Sequence, residues 1–246
     1  MRRIIGLLGM VLLWTCMLLP ARAGEGLEQD RIATSAGEVE ITFLGHASLM
    51  LRFNNKVIHV DPFSKVADYA TLPKADVILL THDHFDHLDV AALGAVRTAT
   101  TEVILTEKCA QKVAGGTVMH NGDRKAVQGI EVEAVPAYNL VHKNDNGQPF
   151  HPKGEGNGYV LTFGATRIYI AGDSENTPEM KALRGIDYAF LPMNLPYTMT
   201  PEMVADAALA FRPKVLYPYH YGETDTRRIA DLLRDKGIEV RIRRMP

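Results

Sequence analysis

Apolar and polar positions alternate through residues 38–53, with Val39, Ile41 and Phe43 followed after a break by Leu49, Leu51 and Phe53. A period of two predicts half-buried strands, here a pair joined through Leu44-Gly45-His46-Ala47-Ser48. Residues 56–60 predict another strand, ending at Asp61-Pro62-Phe63. Short apolar runs then recur at Val77-Ile78-Leu79-Leu80, Val103-Ile104-Leu105, and residues 130–135, 158–163, 167–171, 188–191 and 214–217. Runs of that length between turn residues indicate buried strands, and a last strand is expected at residues 239–243. Helical spacing covers residues 90–97, 107–114, 201–211 and 224–236, with Gly115-Gly116 and Gly237 as stops. Thr200 is expected to cap the third of these, with Pro201 in its first turn. The polar residues 24–36 predict a loose leader. Many strands with few helices suit two mixed sheets packed face to face with helices outside.

The strand Val77–Leu80 runs directly into Thr81-His82-Asp83-His84-Phe85-Asp86-His87, where three histidines and two aspartates fall within six residues. Packing gains nothing from such a cluster, and a strand end is where a rigid scaffold presents chemistry. Imidazole and carboxylate together suit zinc, iron or manganese. In an extended loop His82 and His84 point the same way and can share one ion, while Asp86 and His87, past a turn, can reach a second.

Charge and cysteine usage narrow the picture. Met1-Arg2-Arg3, an apolar stretch over residues 4–19 and Ala21-Arg22-Ala23 read as a secretory signal peptide cleaved after Ala23, giving a periplasmic or secreted protein with no stable membrane anchor. Loss of Arg2, Arg3 and Arg22 from the 27 basic residues leaves 24 against 29 acidic ones, net −5. An acidic chain without a basic run is a poor partner for nucleic acid. Cys16 leaves with the signal peptide, so Cys109 has no disulfide partner within the chain and is expected to be a buried, inert thiol. Residues 24–246 show no linker and no fixed-period repeat, which predicts one domain.

His82-x-His84-x-Asp86-His87 resembles the dinuclear metal motif of the metallo-β-lactamase-fold hydrolases. The Gly45-His46-Ala47-Ser48 turn, paired with Asp61-Pro62-Phe63, resembles one branch of that superfamily, which includes ascorbate-6-phosphate lactonase-like proteins and phospholipase D-type enzymes that hydrolyse N-acylphosphatidylethanolamine. The resemblance implies an α/β fold, a single-domain four-layer αββα sandwich, holding two divalent metal ions, with zinc first and manganese or iron as alternatives. It implies that Asp173, at the Gly172-Asp173 strand end, bridges the metals, and that His220 joins Asp86 and His87 at the second. His46 is then expected at the mouth of the site, supporting it or touching substrate, and Asp61 behind a ligand histidine. Many members carry a histidine where this chain has Asn139. His151 is the preferred replacement ligand for the first metal, with His142 behind it; the alternative leaves both at the surface and the first metal weakly held.

The function implied is hydrolysis by a metal-activated water of an ester, lactone or phosphodiester bond in a small-molecule substrate, with Asp86 and His46 as catalytic candidates. Tyr197 and Met199, in a loop between prolines, are candidates to wall a substrate pocket. The competing expectation is an exported metal- or ligand-binding protein, mononuclear or without turnover, on the same fold.

Overall fold

A computed structural model describes residues 26–245. The expected signal peptide, residues 1–23, lies outside them. Strands β1 (Gln29–Thr34), β2 (Gly37–Gly45), β3 (Ser48–Phe53), β4 (Lys56–Val60), β5 (Val77–Leu79), β6 (Glu102–Leu105) and β7 (Thr117–Val118) form one sheet in chain order. The second sheet holds β8 (Arg124–Val127), β9 (Ile130–Ala137), β10 (Gly156–Phe163), β11 (Thr166–Ile170), β12 (Tyr188–Pro192), β13 (Val215–Tyr219) and β14 (Glu239–Val240), again in chain order. Each sheet begins antiparallel and turns parallel, from β4 onward in the first and from β11 onward in the second.

Three apolar layers account for the sandwich. Between the sheets, Ile41, Leu49, Leu51, Val77 and Leu79 of the first meet Tyr159, Leu161, Ile168, Phe190 and Tyr217 of the second. Outside the first sheet, helices α1 (Val90–Val96) and α2 (Glu107–Ala110) cover Met50, Ile78, Leu80 and Leu105. Outside the second, α3 (Pro178–Lys181), α4 (Pro201–Phe211) and α5 (Thr226–Leu232) cover Tyr169, Leu191 and Leu216. Neighbours in β5 and β12 therefore face different apolar layers, which is why these strands read as continuous apolar runs without alternation. The architecture is the expected four-layer αββα sandwich in one domain.

Some expected elements differ. Residues 29–34, expected within a loose leader, form a strand: Gln29–Thr34 pairs antiparallel with β2, and Arg243 grips Asp30 through both guanidinium and carboxylate edges. Strands β7 and β8 were not expected, and the last helix stops at Leu232 instead of residue 236. Thr200 does cap α4, its Oγ1 accepting from Met203 N at 3.1 Å, and Met199 is fully buried in the layer beneath that helix. Cys109 is buried, and burial pushes its thiol up to about 11, as expected of an inert cysteine. Among the described residues no helix is long and apolar enough to cross a membrane.

Candidate metal centre

The carboxyl ends of β4, β5, β11, β12 and β13 lie on one edge of the sandwich, the edge where open parallel sheets present ligands. The motif loop leaves β5 there. It is tied to the second sheet by Asn157 N donating to Thr81 O at 2.9 Å and Tyr159 OH donating to Leu80 O at 2.8 Å. Gly172 makes the approach possible: its φ is +64°, and a Cβ there would sit 2.9 Å from Asn157 O and 3.0 Å from Thr81 Cβ. Asp173 is thereby delivered against the histidines. Three other residues of the site, His46, Asp61 and His220, have φ of 54°, 43° and 45°, a left-handed backbone that non-glycine residues adopt at a cost.

The chain brings two ligand groups together around Asp173. His82, His84 and His151 form one, their donor atoms all within 4.8 Å of one another. His46, Asp86, His87 and His220 form the other under the same limit. Asp173 lies between them: one carboxylate oxygen is 3.4 Å from His87 Nε2, and the other is 3.4 Å from His151 Nε2 and 3.3 Å from His220 Nε2. His151, not His142, reaches the first group. His142 instead directs Nδ1 to within 2.7 Å of Glu175 Oε1. His59, in β4, is fully buried and bonded through Nε2 to Pro73 O at 3.0 Å, away from the cluster.

The far nitrogen of each buried histidine is engaged by the chain. His87 Nδ1 donates to Asp61 Oδ2 at 2.8 Å. Thr81 Oγ1 donates to the same oxygen at 2.6 Å and lies 3.0 Å from His82 Nδ1, from which it can accept. His151 Nδ1 donates to Asn139 Oδ1 at 2.7 Å, the acceptor that also takes His151 N at 2.7 Å. Asn139 is thus not a ligand substitute but the group that orients the ligand candidate. Its Nδ2 donates to Glu175 Oε1 at 3.1 Å and Tyr197 O at 2.9 Å. Glu175 in turn accepts the backbone N–H groups of Leu140, Val141 and His142, each at 2.7 Å.

With one nitrogen fixed, the opposite nitrogen turns inward bearing a lone pair. His82 Nε2, His87 Nε2, His151 Nε2 and Asp173 Oδ1 are buried with no hydrogen-bond partner. Burying such atoms without compensation is costly, and a divalent cation is what imidazole lone pairs and carboxylates in this arrangement fit. The electrostatics keep His82 neutral and draw positive charge, without a metal a proton, to His87. Burial, helped by His87, pushes His82 well below the ordinary histidine range. Burial also opposes a charge on His87, but Asp173 and Asp61 outweigh it and hold the imidazole well above that range. Burial opposes ionisation of Asp86 as well; the His46 hydrogen bond at 2.9 Å and the nearby His87 overcome it and bring the carboxyl down to about 2.

A cavity of about 370 Å³ opens over the cluster, lined by His84, Phe85, Asp86, Phe150, His151, Asn194, Tyr197 and His220. A larger groove of about 430 Å³ lies beside β8, β9 and α3, but it has no histidine and its Arg124 and Arg167 are paired with Glu133. The chemistry belongs to the smaller one. Glu175, Asn194 and Phe150 are site residues that the motifs did not mark, and Asn139 was marked only as the place where many members carry a histidine. Their one signal was position: Asn139 and Asn194 follow strand ends, and Glu175 stands two residues after Asp173.

Residues 40–220 match the model of the beta-lactamase superfamily domain. A UPF0173 metal-dependent hydrolase of Thermus thermophilus is 33% identical over 217 residues, covering 82% of this chain and 94% of that one. The crystal structure of a Parabacteroides distasonis protein, described as a candidate metal-dependent hydrolase, superposes with a TM-score of 0.86 at 50% identity, covering 89% of this chain and 100% of that one. Igni18, a metallo hydrolase of Ignicoccus hospitalis, shares the fold at a TM-score of 0.66 and 23% identity, over 83% of this chain and 94% of that one. By its sequence relatives as by its sandwich and histidine cluster, this chain belongs to the beta-lactamase superfamily and, within it, to the UPF0173 family of metal-dependent hydrolases.

Proposed function

We propose that this chain hydrolyses an ester, lactone or phosphodiester bond of a small-molecule substrate with two divalent cations held by the cluster. The observation that carries this reading is the set of four buried, unpartnered donor atoms, His82 Nε2, His87 Nε2, His151 Nε2 and Asp173 Oδ1, converging beneath an open cavity. His82, His84 and His151 would hold one cation, Asp86, His87 and His220 the other, and Asp173 both. Such cations lower the pKa of water towards about 7 and polarise the substrate oxygen. Zinc suits these ligands best; manganese and iron are compatible with them.

The chain's own groups supply the rest. Asp61 and Asn139 fix the histidine rings. Asp86, ionised at neutral pH, serves as a ligand and accepts from His46 Nε2. His46, partly buried with its ring 3.7 Å from that of His220, holds the Asp86 carboxylate in place, and the leaving oxygen takes its proton from the attacking water. The Gly45-His46-Ala47-Ser48 turn, which resembles the lactonase-like branch, supports a substrate other than a β-lactam. The basic, apolar start of the chain and the Ala21-Arg22-Ala23 site support export, and N-terminal sequencing of protein recovered outside the cytoplasm would find Gly24 first.

Metal content per chain, measured on the purified protein and on His151→Ala and Asp173→Asn, tests the reading alongside a panel of esters, lactones and phosphodiesters. Two equivalents in the wild type, fewer in both variants, and turnover abolished with the metal are the expected results. Full metal loading without turnover of any of the three bond classes would replace the hydrolase with a binding protein.

A further inference from the structure

Four aromatic rings stand in or behind the wall of the site, two from each half of the molecule. Phe63 and Phe85 stand edge to face at 6.2 Å between centroids, and Phe150 and Tyr197 do so at 5.0 Å. Three of the four line the cavity, above a floor of His84, Asp86, His151, Asn194 and His220. Phe85 is 71% exposed and Tyr197 45%, so neither ring is placed for the stability of the fold. Phe85 lies between His84 and Asp86, so the motif itself holds it at the mouth. Leu140 and Val141, next to Asn139, and Leu195, two residues before Tyr197, are exposed as well. Single exposed apolar residues need no explanation; a concentration of them on segments that frame one cavity marks a binding surface. None of the eight lining residues is Lys or Arg. Lys65, outside the lining, places its ammonium 5.8 and 5.7 Å from the Phe63 and Phe85 ring centroids.

The geometry points to a carboxylic ester or lactone whose acyl part is uncharged and apolar, aryl or alkyl, gripped between the two aromatic pairs while its carbonyl meets the polar floor. Apolar walls with few polar groups converging at one end are the usual make-up of a small-molecule site, and the volume is at the lower end of that class. A group carrying several charges would find no cationic side chain in the lining to replace its hydration. In the reaction, the oxygen of water forms a bond to the acyl carbon and the acyl carbon–oxygen bond breaks. The departing oxygen takes one proton of the water, and the second is released from the carboxylic acid. This inference rests on the hydrolytic reading above.

Straight-chain hydroxamic acids from acetyl to octanoyl, which pair a metal-binding head with an apolar tail, test the slot without turnover. Calorimetry on the metal-loaded full chain should show Kd falling about fourfold per methylene until the slot is filled. Phe85→Ala and Tyr197→Ala, one from each aromatic pair, should each reduce the gain to less than twofold per methylene, so the result does not depend on one variant folding. An affinity independent of tail length would overturn the proposal. Esters of the same acyl lengths separate it from the hydrolase reading. A kcat/KM that rises with acyl length supports both, and efficient turnover that ignores acyl length or favours phosphodiesters overturns the slot and leaves the hydrolase. Tail-dependent hydroxamate binding without turnover of any bond class keeps the slot and removes the hydrolase.

Discussion

Asn139→Ala separates a ring held by the chain from a ring held by the metal. Asn139 is 5% exposed, and its side chain makes four hydrogen bonds: two accepted from His151 at 2.7 Å, two donated to Glu175 and Tyr197. Truncation leaves His151 Nδ1 free to rotate or to switch tautomer, and removal of such an outer partner typically costs 10–100-fold in metal affinity, about 1.4–2.8 kcal/mol. The fold pays separately, because His151 N and Tyr197 O lose their partner beneath the loop. At roughly 1–3 kcal/mol for an unsatisfied buried group, part of it relieved by water from the cavity, metal-free stability should fall by about 2 kcal/mol. For a chain of this size that is a drop of roughly 4–8 °C in melting temperature. Competition with a chromophoric chelator would measure the metal affinities, and a melting curve in excess chelator the fold. One equivalent should weaken and the other keep its affinity, since Asp86, His87 and His220 do not touch Asn139. Two equivalents bound as in the wild type would refute the orienting role. A loss of the first equivalent as complete as in His151→Ala would show that Asn139 does more than orient.

Three further outcomes follow from the same structure. His59, buried and pushed by desolvation down to about 4 from the ordinary 6.5, is neutral when folded and protonated when unfolded between those values. Its stabilisation is complete above about pH 6.5, drains as pH falls towards 4 and levels off below, to a total of about 3 kcal/mol. Urea titrations of metal-free wild type and His59→Gln at pH 7 and 4.5 should show a smaller pH-dependent loss in the variant, and equal losses would refute the assignment. Gly172→Ala forces a Cβ to within 2.9 Å of Asn157 O in a left-handed conformation; at least about 2 kcal/mol, or a melting temperature lower by roughly 4–8 °C, is expected, and a shift under 1 °C would show that the contact yields. Chelation should lower the melting temperature without unfolding the chain at 25 °C. Linkage supplies about 4 kcal/mol when free metal is a thousand times Kd, and circular dichroism of the stripped protein is the check.

Most of the site was legible because its residues sit at the ends of apolar runs. The motif after β5, Asp173 after β11 and His220 after β13 each follow such a run, and the structure brings all of them to one edge. The peripheral strands were not legible. β1, Gln-Asp-Arg-Ile-Ala-Thr, buries only Ile32, and β8, Arg-Lys-Ala-Val, only Val127, so neither carries an apolar period. Both are edge strands in register with a better-buried neighbour, and pairing rather than pattern forms them. The role of Asn139 was not legible for a related reason. Its side chain acts on His151, twelve residues away, across a loop whose start is anchored to the Glu175 carboxylate. Nothing in local spacing reports that anchoring.

The division of labour between core and site explains why so unfavourable a cluster can persist. The three apolar layers involve every sheet and helix and hold their largest side chains, such as Tyr159, Tyr169 and Phe190, at no measurable exposure. Asp61, Asp173 and His87 are buried as deeply, yet they contribute charge and lone pairs to a place where water would otherwise solvate them. Grouping buried charge this way is costly unless each member is paired. Here Asp61 is hydrogen-bonded by Thr81 and His87 of the first half alone, while Asp173 has only histidine nitrogens of both halves at 3.3–3.4 Å, and its Oδ1 has no hydrogen-bond partner. The first carboxylate is thus completed within one half of the molecule, whereas the second needs residues of both. The candidate cation site needs both halves in place, and Gly172, where a Cβ would sit 2.9 Å from Asn157 O and 3.0 Å from Thr81 Cβ, lets Asp173 reach it.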